Sequence, residues 1–380
     1  MRIWLLVMLS CLLTARCFSV LSSRRLFSSK RVLSSVSTSN KEVENARLEL
    51  NVKPETPISF GQEFHIEPYT QPLPLSIINV HELDDKITFD EDAHEYFVHG
   101  EKMQFSVTQI VESFFEKFDP DEAIIKMKRS ARWPRPEYMM KNGTIWTDAQ
   151  IKQYWDGVGQ YARNRGTWMH YNIERYLNNL IPSEDLPEMR MFYAFYDEVI
   201  APRKIIPWRT EWRIHAPEHN LAGSVDFVGR APDGTYVLMD WKRSKNLSTN
   251  MDSAYGRRGK APLEHVDDCD GSKYTLQLNI YRYILQKHYN IKVSKMYLAS
   301  FHPTANAYFS AEVPIWENEV KAVLEQVDGQ AQAMRHSNSV FDAITPPSVS
   351  TSSSPTQTMV PKKGGGAKKP VLVDMKNPFH

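Results

Sequence analysis

Two aspartates and one lysine on a predicted β-hairpin are the residues of this chain best placed to do chemistry. Residues 221–245 read LAGSVDFVGRAPDGTYVLMDWKRSK, in which a Pro-Asp-Gly turn signal centred on Asp233 separates two strand-like runs. With this turn, Asp226 lies directly opposite Asp240, with Cβ atoms about 5 Å apart. Because facing like charges destabilise a sheet, a cation is expected between them, and a hard divalent ion suits carboxylate oxygens. Lys242 lies two residues after Asp240 and therefore on the same face of the strand.

The alternative interpretation is a hairpin end whose charges are simply solvated. The middle of the second strand argues against it, because Val237, Leu238 and Met239 make the strand apolar on both faces, as in a covered sheet. Charges that end a buried strand mark ligand sites in α/β sheets. We therefore predict a metal site here, with one ammonium group beside it.

Two predicted helices carry further candidate site residues, and in each helix the pair is spaced four residues apart. His170 and Glu174 share one face of the first helix. Gln277 and Tyr281 share one face of the second, which is apolar almost all round and is therefore expected to be buried. Taken alone, the first pair is better explained as a surface His–Glu pair, and the second as a core tyrosine beside a satisfied amide.

The elements that must position these residues can be assigned along most of the chain. A hairpin that turns at His99 and Gly100 leads into a helix capped by Ser106 or Thr108. Longer helices are expected at residues 160–179, 274–289 and 316–333, and strands within 208–242 and at 295–301 and 307–313. Residues 246–272 are polar and predict a flexible flap over a substrate. Residues 126–160 interleave aromatic and basic side chains, which suits either phosphate contact with base stacking or an ordinary amphipathic helix and loop.

Composition limits the class of protein and of cofactor. The chain has 380 residues and a formal net charge of +1, so it lacks a global basic field, and nucleic-acid binding would depend on local patches. Of its three cysteines, Cys11 and Cys17 lie in a predicted presequence, which leaves Cys269 in the mature chain. One cysteine excludes a disulfide framework, an iron–sulfur cluster on four cysteines and a Cys-rich zinc site.

The two ends of the chain are expected to lie outside the folded domain. Residues 1–40 combine a short apolar run with a Ser- and Arg-rich segment, typical of a signal peptide followed by a transit-like segment. This pattern favours an organelle, the plastid before the mitochondrion, with plain secretion as the simpler alternative. We expect a linker at 41–75, a single domain at 76–335 and a disordered basic tail at 336–380.

In their order along the chain, these motifs resemble the RecB-like branch of the PD-(D/E)XK nuclease superfamily. The matching residues are Gly166, His170, Glu174, Gly223, Asp226, Asp240, Lys242, Gln277 and Tyr281. The segment HEYFVHGEKMQFSVTQI looks like the entry hairpin and helix of the mitochondrial genome maintenance exonuclease group within that branch. The resemblance covers roughly residues 90–315 and implies an α/β fold with a restriction-endonuclease-like core, a central mixed β-sheet flanked by helices.

The same resemblance implies metal-dependent hydrolysis of phosphodiester bonds. Asp226, Asp240 and the Trp241 carbonyl would bind Mg²⁺ or Mn²⁺, with His170 and Glu174 completing the site directly or through water. Lys242 would orient the attacking water or offset developing charge, and Gln277 and Tyr281 would hold Lys242 or a backbone phosphate. The expected protein is a monomeric DNA exonuclease of organelle DNA maintenance or repair, acting on single strands or free ends, with no membrane contact in the mature form. Catalytically inactive nucleic-acid binding is the second hypothesis, and paired-carboxylate chemistry on sugars is the last.

Overall fold

The computed structural model describes residues 66, 69–91, 93–140, 142–252 and 256–329. The predicted presequence, the tail after residue 336 and most of the predicted linker lie outside the described residues. Within the described part, no helix is both long enough and apolar enough to cross a lipid bilayer.

A mixed β-sheet forms the centre of the fold. Its strands follow the order β4-β6-β7-β8-β9, with β5 paired to β6. The pairs β4–β6 and β7–β8 are parallel, and the other three neighbours are antiparallel. The strands of this sheet are β4 (Phe105–Ser106), β5 (Ile206–Ala216), β6 (Leu221–Arg230), β7 (Tyr236–Lys242), β8 (Val293–Ser300) and β9 (Phe309–Glu312).

A smaller antiparallel sheet precedes it. This sheet contains β1 (Ile87–Asp90), β2 (Glu95–Val98) and β3 (Glu101–Lys102). The predicted turn at His99 and Gly100 joins β2 to β3, and both residues have positive φ angles, 52° and 81°. Such a left-handed pair is the backbone that a tight two-residue hairpin requires.

Helices cover both faces of the central sheet. They are α1 (Pro74–Ile78), α2 (Val107–Ser113), α3 (Pro120–Lys128), α4 (Asp148–Leu177), α5 (Pro187–Phe195), α6 (Asp270–His288) and a helix at residues 317–329. On β7, Leu238 packs into the core formed with α2 and α6, whereas Val237 and Met239 pack into the core formed with α4 and α5. This alternation places the two cores on opposite faces, because successive strand residues point to opposite sides. The predicted α/β class, with a mixed central sheet flanked by helices, is confirmed.

The helix boundaries differ from the predicted ones where capping decides them. The long helix predicted from residue 160 begins at Asp148, because Thr147 and Gln150 form a capping box that starts it earlier. The predicted cap at Ser106 is confirmed, since its side chain accepts a hydrogen bond from the Gln109 N–H. Helix α5 was not predicted from the sequence; its Pro187 occupies the first helical turn, where proline is tolerated.

The aromatic residues of the segment 126–160 have a structural role. Tyr138 and Trp146 are buried with Ile124 and Ile151 in a small core of their own, and their rings lie 5.7 Å apart edge to face. Lys128 is paired with an aspartate of α4. The ordinary helix-and-loop interpretation therefore describes this segment better than base stacking.

Candidate metal centre

The hairpin that carries the two aspartates has the predicted register. Phe227 pairs with Met239, and the same register places Asp226 opposite Asp240. Backbone pairing between β6 and β7 ends at Phe227 and Met239. Beyond this pair, a side chain takes over the contact between the strands, since Asp226 Oδ2 accepts a 2.7 Å hydrogen bond from the Trp241 N–H. Asp226 is therefore fixed at the point where the two strands separate, next to the carboxyl end of β7.

His170, on helix α4 of the layer that covers the sheet, lies next to Asp226 and Trp241. Its Nε2 lies 3.0 Å from the Trp241 carbonyl oxygen, and its Nδ1 lies 3.7 Å from Asp226 Oδ2. Nδ1 also lies 3.2 Å from Glu211 Oε1. Ligand atoms of His170, Glu211 and Asp226 all lie within 4.8 Å of one another, which makes these three side chains a possible metal-binding group.

Glu211 was missed by the sequence analysis. It lies on β5 between Thr210 and Trp212, which pair with Phe227 and Val225, so the register places Glu211 opposite Asp226. Its φ angle is +42°, a left-handed conformation that costs a non-glycine residue of order 1–3 kcal/mol and clusters at functional sites. The only sequence signal was a carboxylate in the middle of a strand-like run, and that signal becomes informative once β5 is known to pair with β6.

Asp240 and Lys242 form an ion pair beside this group. Lys242 Nζ lies 2.5 Å from Asp240 Oδ2, and the Asp240 side chain is 2% exposed. Among the described residues, Asp240 Oδ1 has no hydrogen-bond partner. Burial raises the pKa of Asp240 to about 6, because the pull of Lys242 in the opposite direction is smaller. A buried carboxylate oxygen without a partner is costly unless a cation or a ligand satisfies it.

Gln277 and Tyr281 were predicted to hold Lys242 or a backbone phosphate, and the structure places another residue of α6 against Lys242, so the phosphate contact stays a prediction. Gln277 donates a 3.1 Å hydrogen bond to the Tyr281 hydroxyl, and the residue of α6 that contacts the ammonium is Tyr274, whose ring centroid lies 4.6 Å from Lys242 Nζ. The difference arises because Tyr281 is buried deeper in the core, against Gly223. A Cβ atom on Gly223 would lie 2.7 Å from Tyr281 Cε1.

Glu174 lies behind Glu211 rather than within the three-residue group. The Thr210 hydroxyl donates a 3.4 Å hydrogen bond to Glu174 Oε1. Burial and the neighbouring Glu211 carboxylate raise the pKa of Glu174 to about 7. At neutral pH Glu174 is therefore partly protonated, and it is not one of the three side chains whose ligand atoms lie together.

The electrostatic balance of the site favours a divalent cation. Burial lowers the pKa of His170, but the Asp226 carboxylate and a hydrogen bond to Glu211 outweigh it and raise the pKa to about 9. Even with His170 protonated, the carboxyl groups outnumber the cationic groups, since Asp226, Asp240 and Glu211 lie with only His170 and Lys242. Carboxylate oxygens, which are the majority of the donors here, suit Mg²⁺ or Mn²⁺, whereas the single imidazole is a softer ligand. With the unpartnered Asp240 oxygen, the donor set fits the predicted metal.

No protein-family model matches this chain, and neither does any curated protein. Among solved structures, the chain is similar to the protein SSO0001, with 12% identity and a TM-score of 0.24 over 65% of this chain and 87% of the other. A second likeness is to a structure named "putative exonuclease" from Eubacterium rectale, with 13% identity and a TM-score of 0.24 over 58% of this chain and 64% of the other. At these TM-scores neither likeness carries an argument, so the function is argued from the site.

Proposed function

We propose that this protein is a metal-dependent nuclease that hydrolyses phosphodiester bonds in DNA. The observation that carries the proposal is the meeting of His170, Glu211 and Asp226, within 4.8 Å of one another, beside the buried Asp240–Lys242 pair. Acidic residues that share a site without a cation repel each other, so this arrangement is costly unless it serves binding. A phosphate diester is a substrate class that a hard metal ion and a separate ammonium group can serve together, the first by polarising the phosphate and the second by offsetting developing charge.

His170, Glu211, Asp226 and Asp240 would hold the ion. A divalent cation bound there supplies polarisation of the scissile phosphate and a lower pKa for an attacking water. His170 can act as a ligand only after it loses a proton. Its Nδ1 faces the two carboxylates while its Nε2 faces the Trp241 carbonyl, so the tautomer protonated at Nε2 leaves Nδ1 as the donor atom. The Trp241 carbonyl then orients the imidazole, and this role is an alternative to the metal ligation predicted for it, because Nε2 and Nδ1 point to opposite sides of the ring.

Lys242 would offset charge that develops on the phosphate. Its side chain is 18% exposed, so it lies within reach of a substrate. Burial lowers the pKa of Lys242, but the Asp240 and Asp226 carboxylates outweigh it and raise the pKa, which keeps the group protonated. The carboxylate of Asp240 and the ring of Tyr274 hold it from two sides. An ammonium that is positioned before the reaction needs little reorganisation as charge develops.

Exonuclease action in organelle DNA maintenance or repair is the finer part of the proposal. It is supported by the resemblance of the motifs and by the composition of residues 1–40. The alternative, a nucleic-acid-binding module without activity, would be expected to lack an acidic ligand or the lysine. Asp226, Asp240 and Lys242 are all present in the hairpin, which favours the active enzyme.

End-labelled single- and double-stranded DNA, incubated with the purified chain and Mg²⁺, Mn²⁺ or EDTA, tests the proposal. We expect cleavage that requires the metal and is lost in Asp226→Asn. Glu101→Gln, which changes an exposed carboxylate on β3, is the matched control and should retain full activity. Mononucleotide products would establish exonuclease action. DNA binding without metal-dependent cleavage would establish the inactive module instead.

A further inference from the structure

The side of α4 that carries His170 continues toward the start of the helix through Gly166 and Arg163. None of the residues 158–167 is buried, although residues before and after this stretch are. At 3.6 residues per turn, Gly166 and Arg163 lie within about 40° of His170 around the helix axis. Arg165, which contacts α5, lies about 140° away from His170. Gly166 and Arg163 are therefore on the side of the helix that faces the candidate metal centre, and not on the side that packs against α5.

The packing of the described residues does not require a glycine at position 166. Gly166 lies in the interior of a helix of 30 residues, where glycine is less stable than alanine. A Cβ atom on Gly166 would meet no side chain and no other element within 4 Å, so alanine would fit without any shift. Gly223 differs, since a Cβ atom there would lie 2.7 Å from Tyr281 Cε1. Gly166 instead leaves space at the helix surface, which suits the close approach of a ligand to the backbone.

Arg163 is an exposed arginine that has no acidic partner within the described part of the chain. Its Nη1 lies 3.3 Å from the position of a Cβ atom on Gly159, so the side chain runs along the helix toward its start. Lys152 and Arg165, on the same helix, are each paired with a carboxylate. The guanidinium of Arg163 therefore keeps its fork of donors for an anion, and this fork matches the oxygens of a phosphate group.

A polyanionic substrate needs cationic contacts outside the metal centre. The centre itself is rich in carboxylates, and the net charge of the whole chain is only +1, so affinity for a nucleic-acid strand must come from local cations. Arg163 supplies one such cation on the side of α4 that leads to His170. The centre is accessible, because the side chains of His170 and Lys242 are 25% and 18% exposed.

We propose that the substrate strand runs along this side of α4 into the metal centre, with its sugar–phosphate backbone against Gly166 and one of its phosphates bound by Arg163. The inference rests on the proposed function, since it takes the substrate to be a nucleic-acid strand. It makes Arg163 a binding residue and Gly166 a position that is kept small for the substrate. Neither residue contacts the reacting atoms.

The variant Gly166→Leu separates the needs of the fold from those of the substrate. Leucine has the higher helix propensity, so the urea midpoint of unfolding should rise. Binding of a fluorescent single-stranded oligonucleotide to the full chain in EDTA should weaken severalfold. Mn²⁺ binding in the absence of DNA should stay unchanged, which shows that His170 has not moved. Gln153→Leu is the control and should bind DNA as the wild type does, because it adds the same side chain at an exposed position about 140° around the helix from Gly166.

The variant Arg163→Gln tests the phosphate contact. We expect weaker binding and a salt slope that is shallower by about 0.7 for the lost contact with a single strand. Substitution of single phosphates by neutral methylphosphonates then locates the contact, since one linkage should weaken the wild type and leave Arg163→Gln unaffected. Arg203→Gln, which changes an exposed arginine before β5, is the control and should keep the slope of the wild type.

Three results would overturn the inference. Gly166→Leu could bind the oligonucleotide as the wild type does, its urea midpoint could fall because the glycine serves packing, or Arg163→Gln could keep the affinity and slope of the wild type. If Gly166→Leu loses Mn²⁺ affinity, Gly166→Ala replaces it, because its added carbon lies more than 4 Å from the His170 side chain, and weaker DNA binding is still expected. Each of these results leaves the proposed function standing when the wild type cleaves DNA with Mg²⁺. A wild type that neither binds nor cleaves DNA overturns both.

Discussion

At Glu211 we predict that glycine is a more stable replacement than alanine, which is the reverse of the order at ordinary strand positions. Glycine in the interior of a strand is less stable than alanine by about 0.5–1 kcal/mol. At a left-handed φ, such as the +42° of Glu211, a residue with a Cβ atom is penalised by about 1–2 kcal/mol and glycine is not. We therefore expect Glu211→Gly to be more stable than Glu211→Ala by about 0.5–1 kcal/mol. Both variants should lose metal-dependent cleavage, because both lack the carboxylate that faces His170.

Urea unfolding of the two variants in EDTA measures this difference without a contribution from bound metal. The control is the same pair of changes at Arg213, an exposed position two residues later on β5 with an ordinary φ. There alanine should be the more stable replacement, so the glycine–alanine difference changes sign between the two sites. If alanine is the more stable replacement at both positions, Glu211 is not strained. If Glu211→Gly retains full cleavage, the carboxylate is not part of the metal centre.

Substitutions at four further positions test the site and its surroundings. Asp240→Asn should abolish cleavage and, in EDTA above pH 6, raise the melting temperature slightly, because the carboxylate is buried and its pKa is about 6. Lys242→Ala should lower turnover by a few orders of magnitude but leave DNA affinity mostly intact, because it removes only about one of several phosphate contacts. Tyr274→Phe should retain turnover and Tyr274→Leu should lower it severalfold at unchanged DNA affinity, since the ring face holds Lys242. Burial holds His302 neutral and lowers its pKa to about 4, so unfolding measurements should show the wild type losing stability relative to His302→Asn as the pH falls from about 6.5 to 4.

The features that the sequence predicted correctly are those set by neighbouring residues, namely turns and helix caps. The register of the β6–β7 hairpin follows from the turn centred on Asp233, and the start of α2 follows from the cap at Ser106. Glu211 could not be assigned in this way. Its place in the site depends on the pairing of β5 with β6 and on an irregular φ angle, and neither has a signal in the neighbouring residues.

The choice of the α6 residue that contacts Lys242 was limited in the same way, because candidates one helical turn apart could not be distinguished from the sequence. Tyr274, Gln277 and Tyr281 are spaced by three and four residues and therefore share the predicted face. Which of them reaches the ammonium depends on where β7 ends relative to the helix. This is a property of how the two layers pack, so the sequence identified the face but not the residue.

Gly223 shows why the order of the motifs along the chain carries more information than each motif alone. A Cβ atom there would lie 2.7 Å from Tyr281 Cε1 and 3.0 Å from Val107 Cγ2, so α6 and α2 both pack closely against β6 at this residue. Asp226 follows three residues later on the same strand, and the helix that contains Tyr281 also places Tyr274 against Lys242. The glycine and the buried tyrosine thus set the spacing between the layers, and that spacing brings Tyr274 of α6 against Lys242, on the hairpin that also carries Asp226. A motif residue without charge can therefore be as necessary for the chemistry as a carboxylate, because it fixes the distance across which the charged groups act.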